Sequence, residues 1–188
     1  VEFSLFNDPE PDKPTPVKPT KPVVKVKKVT ISGTSHVLSA GKKIQLKATV
    51  TPANAKSKAV TWKSSNTKYA TVNAKGVVAT KKAGIGKKVV ITAISKDGSK
   101  KYGTYKIKTV KGVVTKVKVT GSKTIKNGKS AKLKVAVSGT KESYKAVRWV
   151  SSNTKYATVN AKGVVTAKKA GKGKTVKITA VAKDGSKK

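Results

Sequence analysis

Cysteine and methionine are absent from the 188 residues, aromatic residues make up only 5%, and just seven residues are acidic. Without cysteine the chain forms no disulfide, builds no thiolate zinc site and has no cysteine nucleophile. Without methionine, Val1 is not an initiator residue, so we interpret the sequence as a piece of a longer polypeptide. No apolar run approaches the ~20 residues that a membrane-spanning helix needs, so membrane insertion is not expected.

Titratable groups suited to catalysis are also scarce. Beyond the first 22 residues the only carboxylates are Asp97, Glu142 and Asp184. So few carboxylates do not supply an acid–base pair or a cluster of oxygen ligands for Ca²⁺. His36 is the single histidine and follows a glycine in a loop-like stretch, so we interpret it as a solvated loop residue rather than as part of a triad. We therefore expect no enzymatic activity, no metal and no cofactor.

Six of the seven prolines lie between Pro9 and Pro22, a spacing that favours extended polyproline geometry and removes backbone donors. Ahead of them, residues 1–6 alternate like a β-strand and contain both phenylalanines. This segment is either the last strand of a preceding domain or a disordered tail. We interpret residues 1–22 as the end of a preceding domain followed by a linker rich in Pro, Thr and Lys.

An internal repeat fills the rest of the chain. Trp62 and Trp149 are 87 positions apart, and the segment 64–78 recurs unchanged at 151–165. Residues 62–101 and 149–188 are identical at 32 of 40 aligned positions. The repeat predicts two domains, which we call unit 1 (residues 23–110) and unit 2 (residues 111–188).

Short strands separated by turn signals are predicted in both units, a pattern typical of an all-β sandwich or barrel. Apolar and polar residues alternate over 44–50, which predicts one strand with a single buried face. After Lys101, unit 1 continues with a plausible closing strand at 102–110, whereas the sequence stops at the equivalent Lys188. Either the natural chain continues, or unit 2 has an open edge that accepts a further strand. Residues 1–6 of a neighbouring molecule are one hypothetical occupant of such an edge.

Three segments carry a resemblance to a known family: LKATVTPANA at 46–55, VTWKSSN at 60–66 and ATVNAKGVV at 70–78. In this order they resemble the bacterial immunoglobulin-like domain, group 2. Unit 2 repeats the pattern but has Ser138-Gly139 in place of the Thr-Pro step. The resemblance implies an all-β fold of two tandem immunoglobulin-like β-sandwiches. It also implies a spacer, adhesive or cell-surface module in bacterial extracellular proteins, often appended to a catalytic domain.

The two tryptophans have two interpretations. Immunoglobulin-like sandwiches bury a large ring at this strand position, so Trp62 and Trp149 are expected to be core residues. The alternative is a platform that stacks against sugar rings. Val60 and Val147 precede the two tryptophans on the same face, and neither tryptophan has an aromatic residue two positions later, which favours the core interpretation.

Lysine dominates the charge. Residues 23–188 contain 41 cations and 3 anions, a net charge of +38, and Arg148 is the only arginine. Outward lysines protect sheet edges and maintain solubility, but a net charge of about 2 to 8 per small domain is sufficient for solubility. The excess favours association with a polyanion. Lysine is a hydrated point charge, and without arginine or a row of aromatics neither base-specific reading nor base stacking of nucleic acid is expected.

The predicted partner is an anionic cell-wall polymer such as teichoic acid, with other polyanionic glycans such as host sulfated glycans second. The lysines predicted to contribute are taken to be outward strand residues: Lys25, Lys27, Lys47, Lys106, Lys118, Lys132, Lys134 and Lys177. We thus interpret the chain as a non-catalytic, extracellular or wall-associated part of a larger multidomain protein that spaces or tethers it. Two alternatives stay open: an accessory module that recognises neutral polysaccharide for an attached enzyme, and a host-adhesion module.

Overall fold

A computed structural model describes residues 22–188, and the predictions for residues 1–6 and for the linker lie outside that range. Unit 1 contains nine strands: β1 Lys28–Ser32, β2 Val37–Ser39, β3 Lys43–Gln45, β4 Lys47–Thr51, β5 Val60–Ser64, β6 Ala70–Val72, β7 Val77–Thr80, β8 Lys88–Ser95 and β9 Tyr102–Val110. Unit 2 contains seven: β10 Val114–Thr120, β11 Ser130–Lys132, β12 Lys134–Gly139, β13 Val147–Ser151, β14 Ala157–Val159, β15 Val164–Ala167 and β16 Ile178–Ala182. Single 3₁₀ turns lie at Lys82–Gly84 and Lys169–Gly171. The prediction of an all-β fold is confirmed.

Unit 1 has two layers. One layer is the four-stranded sheet β2-β9-β8-β5, and the other consists of the three-stranded sheet β3-β7-β6 and the pair β1-β4. Residues from both layers form the apolar core: Leu38, Ile44, Leu46, Ala70, Val78, Val89, Ile91, Tyr105 and Ile107. A second cluster lies beneath β1 and β4: Val26, Val29, Val50, Ala55 and Ala93. The alternating burial of β8 and β9 follows from this arrangement, because one face of each strand meets the opposite layer.

Unit 2 repeats two of the sheets of unit 1 with the same number of strands, and its third sheet is smaller. Strand β10 pairs with β12, β11 with β15 and β14, and β13 with β16. Strand β8 of unit 1 pairs with both β5 and β9, whereas its counterpart β16 pairs with β13 alone among the described residues. The strand that corresponds to β2 is also absent from unit 2 within residues 22–188. The reason is that β2 pairs with β9, and the described part of unit 2 has no equivalent of β9.

The single strand predicted over 44–50 is wrong in one respect. The structure divides it into β3, which pairs with β7, and β4, which pairs with β1, so that the chain moves from one sheet to another at Leu46. The Leu46 backbone N–H donates to the carbonyl oxygen of Gly76 at 2.9 Å, which ends the pairing with β7. The apolar alternation survives because both sheets present their inner faces to the same side of the core. Leu133 makes the matching bond to Gly163, also at 2.9 Å.

Candidate functional site

The repeated motif residues mainly bond to backbone. The Ser64 hydroxyl donates to the Ala70 carbonyl oxygen at 2.7 Å, and the Ser65 hydroxyl oxygen accepts from the Val90 N–H at 3.0 Å. Asn73 Oδ1 accepts from the N–H groups of Lys75 and Val77 at 3.0 and 2.9 Å. Equivalent bonds recur in unit 2, made by Ser151, Ser152 and Asn160. These side chains shape turns and strand ends, as short polar residues do at such positions.

Each tryptophan lies against a hairpin glycine. Trp62 is half-buried and packs against both core clusters of unit 1. A Cβ atom added to Gly76, which has φ +78°, would stand 2.8 Å from Trp62 Cζ2. Gly163, with φ +76°, has the same relation to Trp149 at 2.8 Å. Glycine is therefore required in this hairpin both for its positive φ and for the space that the indole occupies.

Two of the three carboxylates that follow the linker accept a backbone hydrogen bond from a residue at or just before the first strand of their own unit. Asp97 lies in the turn between β8 and β9, and its Oδ2 accepts from the Val26 N–H at 2.6 Å. Asp184 lies in the equivalent turn, and its Oδ2 accepts from the Val114 N–H at 2.6 Å. Sequence reasoning expected only local turn bonds, which are also present from Ser99 and Ser186. The long-range role was missed because Val26 and Val114 are 71 and 70 residues away.

The pKa values of both carboxyls are lowered. For Asp97 the hydrogen bond from the Ser99 side chain is the largest cause, followed by the bond from the Val26 backbone N–H. For Asp184, which is fully buried, desolvation is the largest single influence and raises the pKa, but hydrogen bonds from Ser186, Val114 and Ser39 together outweigh it. Both aspartates are therefore ionised at neutral pH, and their negative charge is compensated by backbone and hydroxyl donors.

Asp184 also contacts unit 1. The Ser39 N–H donates to the Asp184 carbonyl oxygen at 2.9 Å. The Ser39 hydroxyl lies 2.6 Å from the Gly112 carbonyl oxygen and 3.1 Å from Asp184 Oδ2, so its single proton is shared between these acceptors. We call this group, Ser39, Gly112, Val114 and Asp184, the junction. In unit 2 the position of Ser39 is occupied by Lys126, so the repeat does not reproduce the junction.

The predicted lysines do not converge on one site. All eight are exposed: Lys25, Lys27, Lys47, Lys106, Lys118, Lys132, Lys134 and Lys177. The expectation that all are strand residues is wrong for three of them, because Lys25 and Lys27 precede β1 and Lys177 precedes β16. Lys118 and Lys134 lie diagonally across the β10–β12 pair, whereas Lys132 belongs to a different sheet. Sequence alternation finds outward positions, but it does not show which strands are neighbours.

Strand register places four lysines on the outer face of the sheet β2-β9-β8-β5. Lys88 on β8 is directly opposite Lys108 on β9, and Lys106 on β9 is opposite Val90. Lys63 on β5 is opposite Thr92, four residues along β8 from Lys88. All four are exposed, and we call them the lysine face. Like charges opposite each other in a ladder are destabilising. Sequence reasoning selected Lys106 and missed the others, although Lys106 and Lys108 are two apart in one predicted strand.

The lysine face belongs to unit 1 only. The positions of Lys63 and Lys88 correspond to Val150 and Thr175 in unit 2. Elsewhere in residues 22–188 every lysine is exposed except Lys42 and Lys183, which are half-buried.

His36 is exposed, stacks on Tyr105 with ring centroids 4.1 Å apart, and its Nδ1 lies 2.8 Å from the Lys106 carbonyl oxygen. Burial raises the pKa of Tyr105, whose hydroxyl donates to the Ser35 carbonyl oxygen at 2.9 Å.

Within residues 22–188, no group of three or more His, Asp or Glu side chains is arranged to hold a metal ion. The helical turns of the described chain include none with the length and apolarity needed to cross a bilayer.

Comparison with known proteins decides the family. The sequence model of the bacterial Ig-like domain (group 2) matches residues 25–105 and again residues 113–188. The chain belongs to this family. The tandem Ig-like sandwich implied by the sequence motifs is thereby confirmed for both units. Bacterial Ig-like domains of this kind are non-catalytic module families, typical of surface and virion proteins.

One curated relative and two solved structures are similar to the bacterial Ig-like pair. It is 32% identical over 195 residues to an Ig-like virion protein of Serratia phage KSP90, covering 95% of this chain and 73% of the relative. An EHEC O157:H7 intimin mutant is similar at 26% identity over 51% of this chain, with a TM-score of 0.36. Domains 3–5 of Drosophila OTK match 85% of it at 11% identity and a TM-score of 0.31. The pair spans 52% of the intimin chain and 61% of the OTK chain.

Proposed function

We propose that the bacterial Ig-like pair is a non-catalytic tether that holds the protein carrying it against an anionic polymer of the bacterial cell wall. The lysine face of unit 1 supplies the principal contact. Surface or virion exposure is what its Ig-like relatives suggest, and a wall polymer such as teichoic acid is the polyanion met at that location. The protein that contains the pair, whether wall-associated or a virion component, thereby binds the bacterial surface reversibly.

The lysine face carries this proposal. Lys88 and Lys108 are opposite one another on neighbouring strands, with Lys106 and Lys63 on the same exposed face. Lys–Lys pairing across a ladder opposes folding, and a bound chain of phosphates relieves the repulsion while it releases counterions. A flat sheet of lysines fits a flexible polymer with regularly spaced charges, because lysine offers a point charge and no planar recognition geometry.

The acidic side chains of the chain do not neutralise its lysines. Of the three acidic side chains in residues 23–188, Asp97 and Asp184 bind backbone N–H groups, and only Glu142 is exposed. The charged side chains on the exposed surface of the described residues are consequently almost all cationic. Such a surface attracts polyanions at long range and does so less as salt increases.

The test is binding of the 188-residue chain to purified glycerol-phosphate teichoic acid and to isolated cell walls with and without that polymer. A variant with Lys63, Lys88, Lys106 and Lys108 all changed to Gln removes four charges from one face. The matched control changes four exposed lysines scattered elsewhere: Lys56, Lys75, Lys162 and Lys172. We expect affinity for the polymer to fall about tenfold or more in the first variant and about twofold in the control, with a shallower salt dependence in the first.

Three results would contradict the proposal. They are equal losses in the two variants, retention on walls stripped of teichoic acid, and binding that is indifferent to salt between about 0.05 and 0.5 M. Tight binding of a neutral polysaccharide that survives salt would instead identify an accessory carbohydrate-binding module. Circular dichroism of both variants checks that the fold is retained.

A further inference from the structure

Tyr102, the first residue of β9, is the most exposed large apolar side chain in the part of the chain that the structure describes. It is 65% exposed, whereas Tyr69, Tyr105, Tyr144 and Tyr156 are buried or half-buried. A single exposed apolar side chain is ordinary on a protein surface, so exposure alone indicates nothing. The position of Tyr102 on the sheet is more informative.

The register of the sheet β2-β9-β8-β5 places Tyr102 on the same outer face as the lysine face. Tyr102 is opposite Ile94 on β8, and Ile94 is opposite Thr61 on β5. Alternate residues of a strand point to the same side of a sheet, so Tyr102, Thr104 and Lys106 all project outwards. All three are exposed, as this direction requires.

The distances along the sheet are short enough for one polymer chain to reach both regions. Residues two apart on a strand are separated by ~7 Å, so Lys106 lies ~14 Å and Lys108 ~20 Å from Tyr102 along β9. Lys63 is opposite Thr92, which is opposite Thr104, so Lys63 lies one row along and two strands across from Tyr102, at ~12 Å. A polymer of a few repeats therefore spans the ring and the lysines together.

The row that contains Tyr102 suits a neutral group better than a phosphate. Its three members, Thr61, Ile94 and Tyr102, include no charged side chain, and Thr104 beside Tyr102 on β9 adds a second exposed hydroxyl to that of Thr61. A pyranose sugar has an apolar C–H face that packs on the negative face of an aromatic ring, and a rim of hydroxyls that bond to hydroxyl groups. A sugar ring matches both features of this row.

We propose that Thr61, Ile94 and Tyr102 form a subsite for one sugar ring of a glycosylated polyol phosphate. Tyr102 stacks on the sugar, while phosphates further along the same polymer contact the lysine face. This inference rests on the proposed function and narrows its ligand, since the preferred wall polymer then carries sugar substituents. Because the ring contact is uncharged, the preference for the glycosylated polymer should not depend on salt, although the affinity itself does.

The first experiment measures binding of the 188-residue chain to glycerol-phosphate teichoic acid with and without glucosyl substituents, matched in chain length. The glucosylated polymer should bind about fivefold tighter, by the same ratio at about 0.05 and about 0.2 M salt. Tyr102→Ala should abolish the preference and leave affinity for the bare polymer within about twofold. Tyr102→Phe should retain the preference, because stacking needs the ring and not its hydroxyl.

The matched control is Val150→Ala, which shortens an exposed apolar side chain on the outer face of β13 in unit 2. It should change neither affinity. A second measurement does not depend on removing the ring: Tyr102→Trp places a fluorescent ring at the subsite. Its emission, taken as the difference from the parent chain, should shift to shorter wavelength with the glucosylated polymer and stay unchanged with the bare polymer.

Four results would overturn the inference. They are equal binding of the two polymers by the parent, equal losses for both polymers in Tyr102→Ala, loss of the preference in Tyr102→Phe, and an unchanged emission of Tyr102→Trp with the glucosylated polymer. Failure of the proposed function is a different result. In that case the variant with Gln at all four positions of the lysine face binds both polymers as the parent does.

Discussion

Unit 1 and unit 2 have nearly the same motifs but different cores. Leu46 is 1% exposed in unit 1, whereas its counterpart Leu133 is half-buried. In unit 1 one sheet has four strands, and in unit 2 the corresponding sheet is the pair β13-β16. Strand β9 contributes Tyr105 and Ile107 to the core of unit 1, and residues 111–188 include no counterpart of it, so the matching side chains in this part of unit 2 are less covered. Sequence identity in a repeat therefore does not guarantee equal burial.

The largest expected effect tests this difference directly. Leu46→Ala should destabilise unit 1 by about 3 kcal/mol, because it leaves a cavity among fully buried residues. Leu133→Ala should destabilise unit 2 by about 1 kcal/mol, because its side chain is already partly in contact with solvent. Urea unfolding followed by tryptophan fluorescence measures each unit separately in Trp62→Phe and Trp149→Phe backgrounds. Equal losses in the two units would show that Leu133 is as well covered in solution as Leu46.

The second prediction compares the two turn aspartates. Asp184→Ala should cost unit 2 about 3 kcal/mol, because the buried Val114 N–H loses a charged acceptor and the Ser39 hydroxyl loses one of two partners. Asp97→Ala should cost unit 1 less, since Asp97 is only part-buried. Glu142→Ala, at an exposed loop position, is the control and should stay within about 0.5 kcal/mol of the parent. If Asp97→Ala loses as much stability as Asp184→Ala, the hydrogen bonds of the junction do not account for the cost of Asp184→Ala.

The smallest expected effect is a loss of folding stability at low pH. A carboxyl whose folded pKa lies below its unfolded value of 3.8 stabilises the fold fully above pH 3.8, and that contribution is lost as the pH falls towards the folded pKa. Both units should therefore lose stability below about pH 4. Asp184→Asn should reduce this dependence for unit 2 and leave it unchanged for unit 1. Urea midpoints at pH 7 and pH 3 measure it, and an unaltered pH dependence of unit 2 in the variant would contradict the assignment.

Sequence reasoning reached the fold because local and global signals agree in this chain. The alternation of apolar residues, the hairpin glycines and the repeat each indicate the same short strands. The motif that contains Trp62 occurs between the other two motifs in the order typical of the bacterial Ig-like family. The division of residues 44–50 into β3 and β4 was not predictable, because the alternation of buried residues is the same whether or not the strand changes sheets.

The site was less accessible to sequence reasoning. The lysine face depends on the register that places Lys88 opposite Lys108, and a register is a property of two strands rather than of one. The junction depends on hydrogen bonds between Asp184 and residues 70 and 145 positions earlier. A short polar side chain in a turn has local partners in almost every protein, so nothing in the turn sequence indicates these distant ones.

The junction also has a consequence for synthesis on the ribosome. Unit 1 has all its strands once Val110 has emerged, and domains generally fold in that order, from the N-terminus onwards. The joint with unit 2 waits much longer, since Val114 and Ser39 find their acceptor only when Asp184 leaves the exit tunnel. A nascent chain thus carries a folded unit 1 before the hydrogen bonds of the junction can form.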